Sequence, residues 1–281
     1  MTGQRIIATI MGCGSSGGVP RLGNKWGDCD PVNPRNRRRR CALLVEAFAP
    51  GVETPTRIIV DTGCDLREQL LDARVGAVDA VFYTHEHADH THGIDDLRVL
   101  ALNSRKRVDV YFSQEAANRI VSAFAYCFTA PPNSEYPPIL NQNIIEPGET
   151  VTVTGAGGPL TVSAFRQVHG NIDSLGFRIG RFAYSCDLSG IPPESEAAVS
   201  GLDVWVLDAL RRTPHPSHLS LTESLALVDQ HRPKQAVLTN LHIDLDYETL
   251  RGETPDFVEP AFDGMRIDVS AGRVLTDTSA G

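Results

Sequence analysis

The residues best suited to chemistry are concentrated in one stretch of ten, Thr84 to Gly93, which reads THEHADHTHG. Imidazole and carboxylate groups are ligands that Zn, Mn and Fe accept. At the end of an extended strand, His85 and His87 point to the same side and can share one ion, whereas Asp89 and His90 follow a turn and point elsewhere. The ordered spacing therefore predicts a metal site rather than a His-rich surface loop.

Strand ends are expected to position this stretch and its partners. The apolar segment Val78–Tyr83 has the β-branched and aromatic content of a buried strand. His169 follows a predicted strand, Leu160–Val168, and Asp187 follows another, Arg181–Ser185. Open α/β sheets place their ligands at such ends. A lone histidine there is more often a packed or surface residue, so the spacing alone leaves the role of His169 open.

The motif THEHADH resembles the H-x-H-x-D-H signature of the metallo-β-lactamase-fold hydrolases. The resemblance extends from GCGSSGGVP at residues 12–20 to TNLHIDLDYETL at residues 239–250. More narrowly, the chain is similar to the branch that contains the phosphoribosyl cyclic phosphodiesterases of phosphonate breakdown, with ribonuclease Z a more distant relative. The resemblance implies an α/β fold, a four-layer αββα sandwich, whereas periodicity alone indicates only a mixed α/β protein.

The resemblance also implies two divalent metal ions, Zn or Mn, with Fe equally suited to the ligands. The family usually has a ligand histidine at the position of Asn240, and His242 is the only histidine nearby, so His242 is assigned in its place. The implied ligands are His85, His87 and His169 for the first ion, Asp89, His90 and His242 for the second, and Asp187 shared between them.

The expected chemistry is attack by a hydroxide held between the metals, with His218 as the implied proton donor to the leaving oxygen. Asp208 and Arg211 are candidates for orienting His218 or the substrate phosphate. An alternative role for His218 is to help the entry to a helix, because Ser220 and Glu223 form a capping-box pattern directly after it. For Asp61, at the end of a predicted strand, the alternatives are support of a ligand histidine and turn formation.

The favoured function is phosphodiester hydrolysis of a small cyclic phosphate or nucleotide-like substrate. Three alternatives remain: tRNA 3′ processing like that of ribonuclease Z, hydrolysis of a thioester, lactone or lactam, and a regulator that binds a nucleotide or metal. A formal charge of −9 disfavours a nucleic acid partner. Five arginines, Arg35 and Arg37 to Arg40, could receive a phosphate, but a solvated positive surface is more usual.

Length and composition bound the rest. With 281 residues, 41% of them hydrophobic, and no linker or repeat, residues 1–281 are interpreted as one domain. No export signal or membrane span is evident, so we expect a cytoplasmic protein, with a homodimer as a guess. The six cysteines then read as reduced thiols. Only Cys29 lies in the segment that carries an extra structural zinc in the resembling phosphodiesterases, which argues against a third metal.

The remaining elements follow from periodicity. The glycine-rich loop at residues 12–18 is weak evidence for an anion site, and Thr129–Pro138 is a predicted loop that could form part of the substrate rim. Further strands are predicted at Arg5–Met11, Cys41–Ala47, Thr56–Val60, Val108–Phe112, Thr150–Thr154, Leu175–Ile179 and Val204–Leu207, and helices from Asp65 to Ala73, Ile94–Leu102, Gln114–Phe124 and Glu194–Val199.

Overall fold

Two β-sheets form the centre of the fold in the computed structural model, which describes residues 3–130 and 132–275. The first six strands are β1 (Arg5–Gly12), β2 (Ala42–Phe48), β3 (Thr56–Val60), β4 (Ala80–Phe82), β5 (Val108–Phe112) and β6 (Leu140–Ile144). The next seven are β7 (Thr150–Gly155), β8 (Gly158–His169), β9 (Ile172–Ile179), β10 (Phe182–Ser185), β11 (Val204–Asp208), β12 (Gln235–Thr239) and β13 (Val258–Pro260). The last two are β14 (Arg266–Asp268) and β15 (Arg273–Val274).

Each sheet has an antiparallel part and a parallel part. The first sheet has the order β15-β14-β1-β2-β3-β4-β5-β6, and the second has the order β13-β12-β11-β10-β9-β8-β7. Pairing is parallel from β3 to β6 and from β10 to β13. Because parallel strands end at the same edge of a sheet, the residues that follow β3 and β4, and those that follow β10, β11 and β12, gather at shared edges.

Helices cover the outer faces of both sheets. They are α1 (Leu66–Asp72), α2 (Ala88–Thr91), α3 (Leu97–Ser104), α4 (Gln114–Ala123), α5 (Ala125–Phe128), α6 (Leu221–His231) and α7 (Tyr247–Glu253). Side chains of α1, α3 and α4 pack in one apolar cluster with the first sheet, and those of α6 and α7 pack in another with the second sheet. A third cluster lies between the sheets. These layers confirm the four-layer αββα sandwich.

Strand β2 shows why the sequence folds this way. Its residues Leu43 and Val45 belong to the cluster between the sheets, whereas Ala42 and Leu44 belong to the cluster under the helices. All four are buried. Side chains alternate between the faces of a strand, so a strand covered on both sides reads as a continuous apolar run.

Most of the predicted elements are confirmed, with small differences at their ends. The helix predicted at Ile94–Leu102 begins as a 3₁₀ turn, Ile94–Asp96, and the one predicted at Glu194–Val199 is a 3₁₀ helix, Pro193–Val199. The capping box of Ser220 and Glu223 is present. Strands β6 and β13 to β15 and helix α7 carry no clear periodic signal and were not predicted.

The predicted loop Thr129–Pro138 contains no helix or strand in its described part, and its Pro131 lies outside the described residues. None of the helices in residues 3–130 and 132–275 has the length and apolar character that a membrane crossing requires. The single domain, the cytoplasmic location and the homodimer stay predictions.

Candidate metal centre

Three polar residues that follow strand ends adopt left-handed backbone conformations. Asp61 follows β3 with φ 64°, Asp187 follows β10 with φ 54°, and Asn240 follows β12 with φ 61°. Asp and Asn tolerate this region better than other residues with a side chain, because their short polar side chains can form local hydrogen bonds. Strained backbone of this kind clusters at functional sites.

Four side chains converge on one point next to these strand ends. One ligand atom each of His85, His87, His169 and Asp187 lies within 4.8 Å of the others. His87 Nδ1 is 2.9 Å from His85 Nε2 and 3.3 Å from His169 Nε2. With Zn–N bonds of about 2.0–2.1 Å, tetrahedral ligand atoms lie about 3.3 Å apart. The spacing and the donor types therefore fit a bound divalent ion.

The two oxygens of Asp187 have different surroundings. Its Oδ1 accepts hydrogen bonds from Cys186 Sγ at 3.0 Å and from Asn240 Nδ2 at 3.1 Å. Its Oδ2 lies 3.8 Å from His85 Nε2, 3.4 Å from His90 Nε2 and 3.9 Å from His169 Nε2. A single oxygen of Asp187 therefore faces both groups of histidines, while protein donors hold the other.

His90 belongs to the second group. Its Nε2 lies 3.4 Å from Asp89 Oδ2, the same distance as from Asp187 Oδ2, so two carboxylates converge on this nitrogen. Its Nδ1 lies 2.7 Å from Asp61 Oδ2, and Asp61 also accepts hydrogen bonds from both the N–H and the hydroxyl of Thr84 at 2.8 Å. Asp61 thereby fixes the orientation of the His90 ring, as predicted from its position.

The other converging histidines are oriented in the same way. The outer nitrogen of His85 donates to Thr84 Oγ1 at 2.9 Å, and that of His169 donates to the backbone oxygen of Ser217 at 2.7 Å. Ligand histidines generally have such a partner, because it fixes the tautomer that leaves the other nitrogen free to bind a metal.

Burial controls the protonation of the centre. His85, His90, His169 and Asp187 are at most 4% exposed. Burial holds the pKa of His85 well below its usual value and also lowers the pKa of His169, so both are neutral, as metal binding requires. Burial alone lowers the pKa of His90, but the charges of Asp187 and Asp61 outweigh it and raise that pKa well above its usual value. The position beside His90 Nε2 thus favours a positive charge.

His218 forms a separate pair with Asp208. Its Nδ1 donates to Asp208 Oδ2 at 2.9 Å, and its Nε2 lies 3.9 Å from Asp187 Oδ2. Asn240 Nδ2 also donates to Asp208 Oδ1 at 3.2 Å, so its amide joins the carboxylates of Asp187 and Asp208. Burial raises the pKa of Asp208 to about 6. Burial lowers the pKa of His218, but its hydrogen bond to Asp208 outweighs this effect and the net pKa is raised.

Two glycines allow the loop that carries Asp89 and His90 to approach the end of β3. A Cβ on Gly63 would lie 2.1 Å from the backbone oxygen of Asp89, and a Cβ on Gly93 would lie 2.2 Å from the oxygen of Gly63. The backbone of Thr62 bonds to the same loop, donating to His90 O at 2.8 Å and accepting from Gly93 N at 2.7 Å. Only glycine fits this close approach.

The structure does not bring His242 into either group. Its Nδ1 lies 3.0 Å from Asp244 Oδ1, and its Nε2 contacts the guanidinium of Arg21. Among the described residues, the groups of potential ligands are the four side chains around His87 and a second set of His90, Cys186 and Asp187. The Cys186 thiol is buried, burial raises its pKa well above the usual value, and it donates to Asp187, so it is a packed thiol rather than a nucleophile.

A cavity of about 290 Å³ opens onto the centre. His87, Asp89, Asp187 and His218 line it, and so do Asn240 and His242. No residue of the predicted rim loop belongs to the cavity wall as far as that loop is described. Tyr136 and Pro137 instead lie in a separate depression beside Tyr126.

Comparison with known proteins agrees with this arrangement. A family model described as the β-lactamase superfamily domain matches residues 56–243, which include the converging histidines and Asp187. The chain belongs to the β-lactamase superfamily. The resemblance that the sequence showed, to the metallo-β-lactamase fold, is therefore confirmed.

Two solved structures and one curated protein show which superfamily members are similar. A diphosphatase of the PhnP family has a TM-score of 0.81 and 30% identity, covering 94% of this chain and 98% of that one. Zn²⁺-bound PqqB from Methylobacterium extorquens has a TM-score of 0.71 and 16% identity, covering 93% and 99%. An octanoyltransferase from Porphyromonas gingivalis is 31% identical over 261 residues, 91% of this chain. The chain spans 50% of that protein's length.

The arginine run of this superfamily member does not face the centre. Arg38 is 2% exposed and bonds to Asn36 Oδ1, and Arg39 forms ion pairs with Asp72 and Asp263. The functional and the solvated interpretations both overlooked these buried contacts. Instead, Arg21 and Arg211 line the cavity. Sequence reasoning missed Arg21, because an isolated arginine in a glycine-rich loop carries no pattern of its own.

Proposed function

We propose that the chain is a metal-dependent hydrolase of small phosphate esters, most simply a phosphodiesterase acting on a cyclic phosphate or nucleotide-like substrate. The observation that carries the proposal is the convergence of His85, His87, His169 and Asp187 in a cavity that arginines also line. The similar PhnP-family structure, described as a diphosphatase, supports phosphorus rather than carbon as the site of attack.

Two divalent ions, Zn or Mn with Fe as a further candidate, are proposed at this centre. His85, His87, His169 and Asp187 would hold one, and Asp89, His90 and Asp187 the other. Asn240 occupies the usual place of a seventh ligand and His242 points to Asp244, so the second position would keep room for a substrate oxygen. When bound, the ions would supply Lewis acidity and a nucleophile at neutral pH.

His218 is proposed as the proton donor to the leaving oxygen. Asp208 holds the Nδ1 proton at 2.9 Å, which leaves Nε2 facing the cavity. The raised pKa of His218 keeps the imidazolium populated near neutral pH, where a general acid must carry its proton. Asn240 and Asp208 are therefore assigned positioning roles, and His218 the catalytic one.

The physical character of the site argues against the other activities. A net charge of −9 disfavours an extended tRNA partner, so tRNA 3′ processing is the weaker candidate. The name of the octanoyltransferase relative suggests acyl chemistry. However, Leu210 is the one apolar side chain among the described residues that line the cavity, and an octanoyl chain would find little apolar surface there.

Metal analysis combined with a substrate panel tests the proposal. The panel contains bis-p-nitrophenyl phosphate, cyclic ribose phosphates, 2′,3′-cyclic nucleotides, precursor tRNA and an octanoyl thioester. We expect metal-dependent cleavage of one or more of the phosphodiesters, lost in His169→Ala together with bound metal. Cleavage of the thioester or of the tRNA alone would contradict the proposal.

A further inference from the structure

Part of the cavity wall has no role in the proposed reaction. The glycine-rich loop after β1 contributes Ser15 and Ser16, the turn that follows it contributes Arg21, and the segment after β11 contributes Arg211. His242 lies between these parts, in contact with Arg21. These groups are hydrogen-bond donors or cations, and they lie in the same cavity as His87 and Asp187.

Ser15 provides a buried hydroxyl without a partner. The residue is 3% exposed, and its Oγ has no hydrogen-bond partner among the described residues. The loop around it is fixed, because Ser15 N donates to Leu241 O at 3.3 Å and Gly18 N donates to Ser15 O at 2.7 Å. A buried hydroxyl that forms no hydrogen bond is costly, so a group that fills the cavity is expected to bind it.

The two cavity arginines lack acidic partners. Within the described part of the chain, no carboxylate oxygen lies within 4.0 Å of the guanidinium of Arg21 or Arg211. Arg211 is held by the backbone oxygens of Thr213 at 3.1 Å and Pro214 at 2.8 Å. The neighbouring Arg212, by contrast, pairs with Glu253 at 2.8 Å. In a chain with 35 acidic residues, two uncompensated guanidinium groups in one cavity favour an anion.

We propose that Ser15, Arg21 and Arg211 form a subsite for a second, uncleaved phosphoryl group of the substrate. This inference rests on the proposed function and narrows it, because the substrate would then carry two phosphoryl groups. A phosphoryl group fits better than a carboxylate, since donors approach from three separate segments and a phosphoryl group offers three acceptor oxygens. Arginine also matches the geometry of these oxygens.

Binding of paired nucleotides tests the subsite without relying on turnover. Isothermal titration compares thymidine 3′,5′-bisphosphate with thymidine 5′-phosphate, and adenosine 5′-diphosphate with adenosine 5′-phosphate, on the protein as purified. The two pairs place the second phosphoryl group at a distance or directly next to the first. We expect the doubly phosphorylated ligand of at least one pair to bind about tenfold more tightly or better.

Arg21→Gln and Ser15→Ala are the informative variants, and Arg37→Gln is the matched control. Arg37 is an exposed arginine of the preceding segment and does not line the cavity. The affinity advantage should fall to less than threefold in the first two variants and persist in the control. Equal affinities within both pairs in the wild type, or an advantage that survives both variants, would overturn the subsite.

The outcome is distinguishable from a failure of the proposed function. If the affinity advantage is present but the substrate panel shows no cleavage of a phosphodiester, the subsite stands and the assigned reaction falls. If phosphodiesters are cleaved without an affinity advantage, the reaction stands and the second phosphoryl group is ruled out.

Discussion

Replacement of Gly63 by alanine is a sharp test of how the centre is assembled. The new Cβ would lie 2.1 Å from the backbone oxygen of Asp89, whereas an ordinary contact begins at 3.4 Å, a difference of about 1.3 Å. This oxygen belongs to a proposed ligand, and the next residue, His90, is bonded through its backbone to Thr62. The substitution should therefore displace Asp89 and His90 from Asp187 by about 1 Å.

Such a displacement has a large expected effect on activity. Misplacement of reacting groups by about 1 Å costs on the order of 10²-fold in rate. For Gly63→Ala we expect kcat/KM on bis-p-nitrophenyl phosphate to fall by about that factor, and bound metal per chain to fall as well. The measurements are steady-state kinetics and inductively coupled plasma mass spectrometry, with circular dichroism to check the fold.

Gly252→Ala is the matched control for Gly63→Ala. Gly252 lies in α7, and a Cβ there would meet no atom within 4 Å. Alanine is preferred over glycine in a helix, so this variant should keep its metal and activity and gain a little stability. If Gly63→Ala instead kept its metal and activity within twofold of wild type, the close approach of the two loops would not be needed for the site.

Three further substitutions test individual contacts. Asp61→Asn should weaken metal binding about 10–100-fold, because His90 loses the carboxylate that orients it; unchanged affinity in a metal titration would contradict this role. Asp208→Asn should lower the pKa of His218, so the alkaline loss of kcat, which follows deprotonation of the donor, should move to lower pH; a limb that stays in place would remove Asp208 from the account. Asp246→Ala removes the cap of α7 and should cost about 1–2 kcal/mol in urea unfolding. Burial raises the pKa of Asp246, but the hydrogen bonds that it accepts outweigh this and lower it to about 2, so this contribution should be present above about pH 4 and lost as the pH falls towards 2; an alanine variant as stable as wild type at pH 7 would contradict it.

The sequence predicted those parts of the fold that carry a period. Strand β2 alternates between two buried faces, and the apolar run before His85 marks β4, so both were found from pattern alone. The short edge strands β14 and β15 bury few side chains and were not found. Helix α7 was also missed, because its cap at Asp246 precedes too few apolar residues to show a helical period.

The candidate site was predictable where a motif fixes local geometry. His85, His87 and Asp187 lie at the ends of strands, where backbone direction determines where a side chain points. His242 was assigned by proximity in sequence, and proximity does not determine direction after a left-handed residue such as Asn240. Arg21 joins the cavity only through the path of a loop, which no periodicity reports.

The most direct test of the account is an anomalous-scattering map from a crystal grown with zinc or manganese. The account predicts an ion about 2.0–2.3 Å from His85 Nε2, His87 Nδ1, His169 Nε2 and Asp187 Oδ2. Anomalous density located elsewhere, with these four atoms bound to no common ion, would contradict the central claim.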